Sequence, residues 1–507
     1  MAKLKRTMAV LIALLMLVPT LASCSNNTPA ESKETTPQQE TSQTAESTDA
    51  SADETTAEDE RIKPNIPESA DFGGDTITFL HWYNTAWTET VRQSRDIYAE
   101  GITGEAINDA VYNRNVKIED AYKVKIALQL EQSTDIASMV GQQVTAGDST
   151  YDVVYQLLSA APALIQKSYF HNLFNVPNID LEKPWWDQNS ISSLSTMGIL
   201  PLVSTSINVN DKDATAALAF NKTIASNNQL EDLYTLVREG KWTYDKLTEM
   251  AEATYNDSNG DGTMTPDDVY GFLGGRDVID SLYHGSGSQF ITKNENDEFV
   301  FTFGTERDVD VISKGIDIVN SSWYFNHHAW KDQSDILYRQ IFETGHGLFF
   351  WMRLDDVTNM RAGDADFGII PIPKYEEAQD KYYSLVSQHT TGLMSIPITC
   401  AGDELSEVGM VLEALAAESH YTLIPEYIET SLKTKNSRDA ESADMLDIIL
   451  NNRVFDPMNV YSFANFGDAI MDAADANNKD MASLIKSKEK LVNKSIEKVL
   501  KAVSAVE

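Results

Sequence analysis

Cysteine is almost absent: Cys24 and Cys400 are the only two in 507 residues. A disulfide framework is therefore excluded, and so is any cysteine-pair metal or redox motif. The chain also lacks an HExxH zinc helix, a Gly-rich phosphate loop and a nucleophile motif. Positive charge is scarce. Forty Lys and Arg face 77 Asp and Glu, for a formal net charge of −37, so nucleic acid and anionic lipid head groups are poor partners for the chain as a whole. Only one long apolar run occurs, at the very start. Aromatic residues are missing from 25–67, a Ser/Thr/Glu/Gln/Ala/Pro tract with ten acids and three bases. Such a tract cannot bury enough apolar surface to fold.

What stands at the start explains the apolar run. Lys3, Lys5 and Arg6 precede apolar residues 8–18, and Leu21, Ala22, Ser23 and Cys24 follow. The run is too short to span a bilayer and has the layout of a secretory signal over 1–23. Small residues before a cysteine are what lipoprotein processing requires, so Cys24 is expected to become the acylated first residue. The alternative is an ordinary signal peptide with a chance cysteine. Acyl chains anchor by roughly 0.8 kcal/mol per buried CH₂. The acidic segment 24–70 then reads as a tether, with a root-mean-square reach of roughly 35 Å. The expected location is the extracellular face of the cytoplasmic membrane. Cys400, after apolar 393–399, reads as a small buried hydrophobe.

The remaining residues suffice for two domains. Segment 75–82 (DTITFLHW) reads as a buried strand ending in aromatics, 106–122 as an amphipathic helix leading into 124–128, and 151–155 (YDVVY) as a second buried strand. Strands alternating with helices predict an α/β body with mostly parallel sheets. Ligands of such sheets sit at the carboxyl ends of the strands, which singles out Trp82, Tyr83 and Gln156.

Several fragments occur in a telling order: Tyr151-Asp152-Val153-Val154, Lys183-Pro184-Trp185-Trp186-Asp187, Phe220-Asn221-Lys222 and Gly240-Lys241-Trp242-Thr243-Tyr244. Residues 366–374 (DFGIIPIPK) and Ser437-Arg438-Asp439 follow. In this order the chain resembles the family 1 extracellular solute-binding proteins, the maltose-binding-like group. The resemblance implies a two-lobed periplasmic-binding-protein-like fold of type II that closes by a hinge. Its three crossovers would lie near 201–207, 390–396 and 455–458. One lobe would hold 71–203 and 393–455, the other 207–392 and 456–507. It further implies capture of an oligosaccharide for the permease subunits of an ABC importer by a monomeric, non-catalytic chain.

Sugars offer apolar ring faces edged by hydroxyls, so their sites combine aromatic platforms with planar polar groups. Beside the strand-end residues, the resemblance places Tyr283 with His284, Trp351 with Arg353, and Tyr461 with Phe463 near the cleft, and Trp351 is the leading platform. Trp185 and Trp186 read as structural. The maltose-binding pattern has an acid and an arginine after the second strand; this chain has Gln156, Leu157, Leu158 and Ser159, which argues against maltose.

A separate signal lies at 257–268. Asp257, Asn259, Asp261, Thr263, Thr265 and Asp268 occupy ligand positions of an EF-hand-type loop, with Gly260 at the sharp turn. A structural Ca²⁺ is expected, held weakly because Asp268 is shorter than Glu; an Asp/Asn/Gly turn that binds nothing is the alternative. Two further functions stay open. A secreted carbohydrate-active enzyme would need two opposed carboxylates, which the adjacent Asp355 and Asp356 do not identify. A tethered adhesin or scaffold would bind no small ligand.

Overall fold

The computed structural model describes residues 61–67, 69–84, 95–326, 337–360, 365–434 and 441–506. The signal segment, Cys24, the tether up to residue 60 and Ser437-Arg438-Asp439 lie outside them.

Two sheets organise the body. The first has the order β12-β3-β1-β2, built from β1 (Thr76–Tyr83), β2 (Lys125–Gln132), β3 (Val153–Leu157) and β12 (Gly392–Ser395). β1 pairs in parallel with β2 and β3, while β12 returns antiparallel to β3. Because β1 is central and covered on both faces, its residues form a nearly continuous buried run. Helix Ala106–Tyr122 packs on helix Asp403–Tyr421 beside this sheet. It starts where the Glu105 side chain accepts the Asn108 N–H and ends at Lys123 in the left-handed region.

The second sheet runs β10-β4-β9-β5-β8, from β4 (Ala216–Asn221), β5 (Tyr270–Gly274), β8 (Tyr324–Asn326), β9 (Gly347–Arg353) and β10 (Phe367–Ile370). β5 pairs in parallel with β8 and β9, whereas β4 is antiparallel to β9 and β10. Each sheet is thus mixed, with parallel pairs towards one edge and antiparallel pairs towards the other. A small hairpin, β6 (Ile291–Lys293) with β7 (Phe299–Phe301), is separate. Helix Glu441–Asn451, which the sequence places with the first lobe, lies against β10 of the second sheet. There the Ser442 hydroxyl accepts the Ile369 N–H.

The passages between the sheets are pinned together. Val203 bridges Met394, Thr215 bridges Val386, and β11 (Ser384–Leu385) pairs in parallel with β13 (Arg453–Val454). Buried charges fill this junction. The Arg453 guanidinium donates to Asp211 at 2.9 Å and to Asp187, and the Lys212 ammonium donates to Asp211 at 3.0 Å and to the Thr205 and Asn208 carbonyls. Burial alone would raise the Asp211 carboxyl, but Lys212 and Arg453 outweigh it and hold it low. Arg114, also buried, donates to the Ile207 carbonyl at 2.8 Å and so ties the first passage to helix Ala106–Tyr122. Removing one partner from such a set leaves an uncompensated buried charge, at a cost of about 3–5 kcal/mol. Cys400 is fully buried, and burial raises its thiol well above the ordinary range. Residues Arg61–Glu507 form a single compact unit. No helix of the described residues is long and apolar enough to cross a membrane.

Candidate functional site

A narrow cavity of about 20 Å³ opens at the carboxyl end of β9. Trp351 and Arg353 come from that strand, and Asp277 follows β5, its parallel neighbour. Asp280 and Ser281 come from helix Val278–Gly285, Gln388 and His389 from the second passage, and Asn459 from helix Pro457–Tyr461. Ala214, Ala216, Leu385 and Met471 supply apolar wall. The helix approaches the strand because Gly274 has no side chain. A Cβ there would stand 2.5 Å from Val278 Cγ2, 2.8 Å from the Tyr324 hydroxyl and 3.4 Å from Trp351 Cβ.

The polar groups are held in complementary states. The Trp351 indole N–H donates to Ser281 Oγ at 3.0 Å, which fixes the ring plane. The Arg353 Nε stands 3.3 Å from Asp355 Oδ1. Burial would lower the guanidinium pKa, but Asp355 and Asp356 outweigh it, so the charge is permanent. Burial, then the charge of Asp355, pushes Asp356 up to about 6. The Asp277 carboxyl is raised by burial even though His389 and Arg353 oppose that shift. Asn459 Nδ2 donates to Asp280 Oδ2 at 2.9 Å. Gln388 Oε1 is buried without a hydrogen-bond partner among the described residues. The lining therefore offers acceptors at Asp277 and Gln388 and donors at Arg353, beside Trp351, which is itself buried in the core at 4% exposure.

Trp351 and Arg353 are brought together in this cavity, whereas other residues singled out by the sequence lie elsewhere. Tyr283 is buried, stacks on Phe290 with centroids 4.2 Å apart, and donates to Asp308 at 3.0 Å. Tyr461 donates to the Leu194 carbonyl at 2.8 Å and stacks on Phe463, both buried. In the first sheet Trp82 is buried, Gln156 donates to the Ser133 carbonyl at 3.2 Å, and Tyr83 is half-buried. His284 sits behind the cavity wall, with Nε2 3.3 Å from Asp280 Oδ1 and Nδ1 3.7 Å from Asp456 Oδ2. Burial would lower its pKa, but those two carboxylates outweigh it and raise it. Sequence reasoning missed Asp277, Asp280, Ser281, Gln388, His389 and Asn459. The strand-end rule applied to 270–274 would have found Asp277.

The loop 257–268 wraps its oxygens around its own backbone. Asp257 accepts the Gly260 and Gly262 N–H groups at 2.8 and 2.7 Å, Asn259 accepts that of Asp261, and Asp261 accepts that of Thr263. Asp268 accepts Ser258 N–H at 2.9 Å, Thr265 N–H at 2.8 Å and the Thr265 hydroxyl at 3.0 Å. Among the described residues no three His, Cys, Asp or Glu side chains are gathered to hold a metal ion.

No protein-family model and no curated protein sequence matches the chain. Solved structures do. A cyclo/maltodextrin-binding protein complexed with maltotetraose aligns with a TM-score of 0.52 at 11% identity, over 85% of this chain and 96% of its own. An ABC substrate-binding protein from Listeria monocytogenes in complex with cycloalternan gives 0.51 at 10% identity, over 85% and 99%. A family 1 extracellular solute-binding protein from Bifidobacterium longum subsp. infantis gives 0.51 at 13%, also over 85% and 99%. The chain thus has the two-lobed α/β fold of type II periplasmic binding proteins, the fold in which those family 1 sugar-binding proteins are built.

Proposed function

We propose that the chain is an extracellular solute-binding lipoprotein that captures an oligosaccharide at the carboxyl end of β9 and passes it to ABC permease subunits. The supporting observation is the juxtaposition of the Trp351 wall with Asp277, Arg353 and Gln388 in one cavity. A pyranose stacks its apolar face on an indole while its hydroxyls donate to a carboxylate and accept from a guanidinium. Similar solved structures include complexes with maltotetraose and cycloalternan. Calorimetry against a panel of oligosaccharides tests the reading: saturable heat with at least one glycan is expected, and silence across the panel sinks it.

Binding without hydrolysis fits the geometry better than a glycosidase. Asp277 and Asp280 stand one helical turn apart on the same side of the cavity. A glycosidase needs two carboxyls facing across the bond, about 5–10 Å apart. A reducing-sugar assay on the bound glycan should show no release.

Two accessory features complete the reading. Cys24 carries the anchor and the monomer works at the outer face of the cytoplasmic membrane, so in high salt Cys24→Ala should release a folded protein; membrane retention under that condition would contradict it. The loop 257–268 takes a structural Ca²⁺, since a carboxylate that accepts an N–H keeps lone pairs for a cation. A ligand of the folded state raises the melting temperature. Identical melting in calcium and in chelator would remove this site, and a shift surviving Asp257→Ala with Asp261→Ala would move it.

A further inference from the structure

The C-terminal helix Met481–Val503 reverses the sign of the molecule. Its 23 residues contain six lysines and two glutamates, in a chain whose formal net charge is −37. Met481, Val492, Ile496, Val499 and Val503 are buried and fix one face against the body. Lys486, Lys490, Lys494, Lys498 and Lys501 follow at intervals of four, four, four and three, which at 100° per residue places all five on the opposite face, with the exposed Glu497 among them. All five are exposed, and none has an acid within ion-pair distance among the described residues. The row is about 22 Å long at 1.5 Å per residue. Leu491, at its edge, is 55% exposed, among the most exposed large apolar side chains of the body.

We propose that this lysine face is a docking surface for a bilayer containing anionic lipids. Five ammonium groups with a single carboxylate, Glu497, among them leave an excess of positive charge to face a plane of phosphates, and Leu491 supplies a short apolar contact at their edge. Net charge does not forbid this. The Debye length is about 8 Å at physiological salt, so a membrane in contact with the helix is screened from acids on the far side of the body. The acidic remainder instead disfavours every other orientation at close range. The apolar face of the helix is spent in the protein core, so attachment is electrostatic and peripheral. The choice of a membrane over another acidic surface rests on the export and anchoring reading of the N-terminus.

The test uses the chain from residue 24 onward carrying Cys24→Ser, so that no acyl chain contributes. Cosedimentation with phosphatidylcholine vesicles, with and without phosphatidylglycerol, should show binding only to the anionic vesicles, weakening as salt rises. Combining Lys490→Gln, Lys494→Gln and Lys498→Gln should lower the partition coefficient by roughly fivefold per lysine, about a hundredfold together. Arginine at the same three positions should preserve it. Melting temperature should stay constant across the set, since none of the three side chains is buried. Equal binding to both vesicle types, unchanged binding after neutralisation, or no binding to either overturns the proposal. So does lysine-dependent binding to polyglutamate without vesicle binding, which would make the face a protein dock. An unacylated chain that passes this test while the natural chain is released from the membrane by high salt would separate failure of the anchor from failure of the docking face.

Discussion

β1 and β9 both end in an aromatic-rich segment, at Trp82-Tyr83 and at Trp351-Met352-Arg353, yet the two ends meet different neighbours. Trp82 reaches beneath β12, where a Cβ on Gly392 would stand 2.8 Å from its Nε1 and 2.7 Å from the Gln156 carbonyl oxygen. The end of β1 is sealed. Trp351 instead forms the wall of a cavity, because the passages between the lobes leave space over the end of β9. A strand-end tryptophan therefore lines a cavity only where the return strand does not close over it. The same contrast recurs in two buried histidines. His81 Nδ1 donates to the Trp82 carbonyl, 2.7 Å away, with no carboxylate beside it among the described residues, and burial lowers its pKa to about 4. His284 lies between Asp280 and Asp456, and its pKa is raised.

The largest expected effect that can break this comparison is on stability. Trp82→Ala should cost about 3–5 kcal/mol by leaving a cavity under β12, with glycan affinity of the folded fraction unchanged. Denaturant titration alongside calorimetry reads both quantities, and a selective loss of affinity would return the end of β1 to the binding site.

Trp351→Ala should do the reverse. Affinity is expected to fall at least tenfold, about 2 kcal/mol, the scale of a binding hot spot. Trp351 lines the cavity but is buried at 4% exposure, so stability should fall as well and affinity is read on the folded fraction. Wild-type affinity in this variant, or lost binding explained entirely by unfolding, would make Trp351 a core residue.

The smallest effect is in the pH dependence of melting, and it has opposite signs in the two sheets. The native state holds His81 neutral, so its contribution is intact above pH 6.5 and is lost as pH falls from 6.5 towards 4. The native state favours protonated His284, so its contribution is present below pH 6.5 and is lost as pH rises through the raised pKa. Burial pushes Asp456 up to about 6 although His284 opposes this, so that carboxyl also loses stability as it ionises. His81→Gln should flatten the acidic limb of the melting profile and His284→Gln the alkaline limb, each by roughly 2 °C or less. Identical profiles for the parent and both variants would remove the distinction between the two environments.

Much of the architecture was legible because it is written in local patterns. Buried runs such as 75–82 and 151–155 carry their own strand signal. The parallel sheets were expected from alternation, but the antiparallel returns of β4, β10 and β12 depend on which way a crossover brings the chain back, which no local pattern encodes. The cavity was half legible. Trp351 and Arg353 are conspicuous by type, while Asp277, Gln388 and Asn459 are ordinary polar residues whose convergence exists only after three passages fold together. Tyr283 and Tyr461 misdirect for the same reason: a tyrosine with a buried hydroxyl partner looks, in sequence, like one facing a ligand. The lysine row of the C-terminal helix was hidden by the opposite habit, since summing charge over the whole chain erases a local reversal.

Cys400 turns the first lobe into its own reporter. Its sulfur is sealed from solvent and its thiol is kept protonated by burial, so oxidants and alkylating reagents reach it only when the lobe opens. In a protein acylated at Cys24 it would be the sole thiol. The rate at which a slow alkylating reagent modifies the folded chain would then count openings of the lobe around residue 400 directly, with and without sugar, and a glycan that merely closes the cleft would leave that clock running at the same speed.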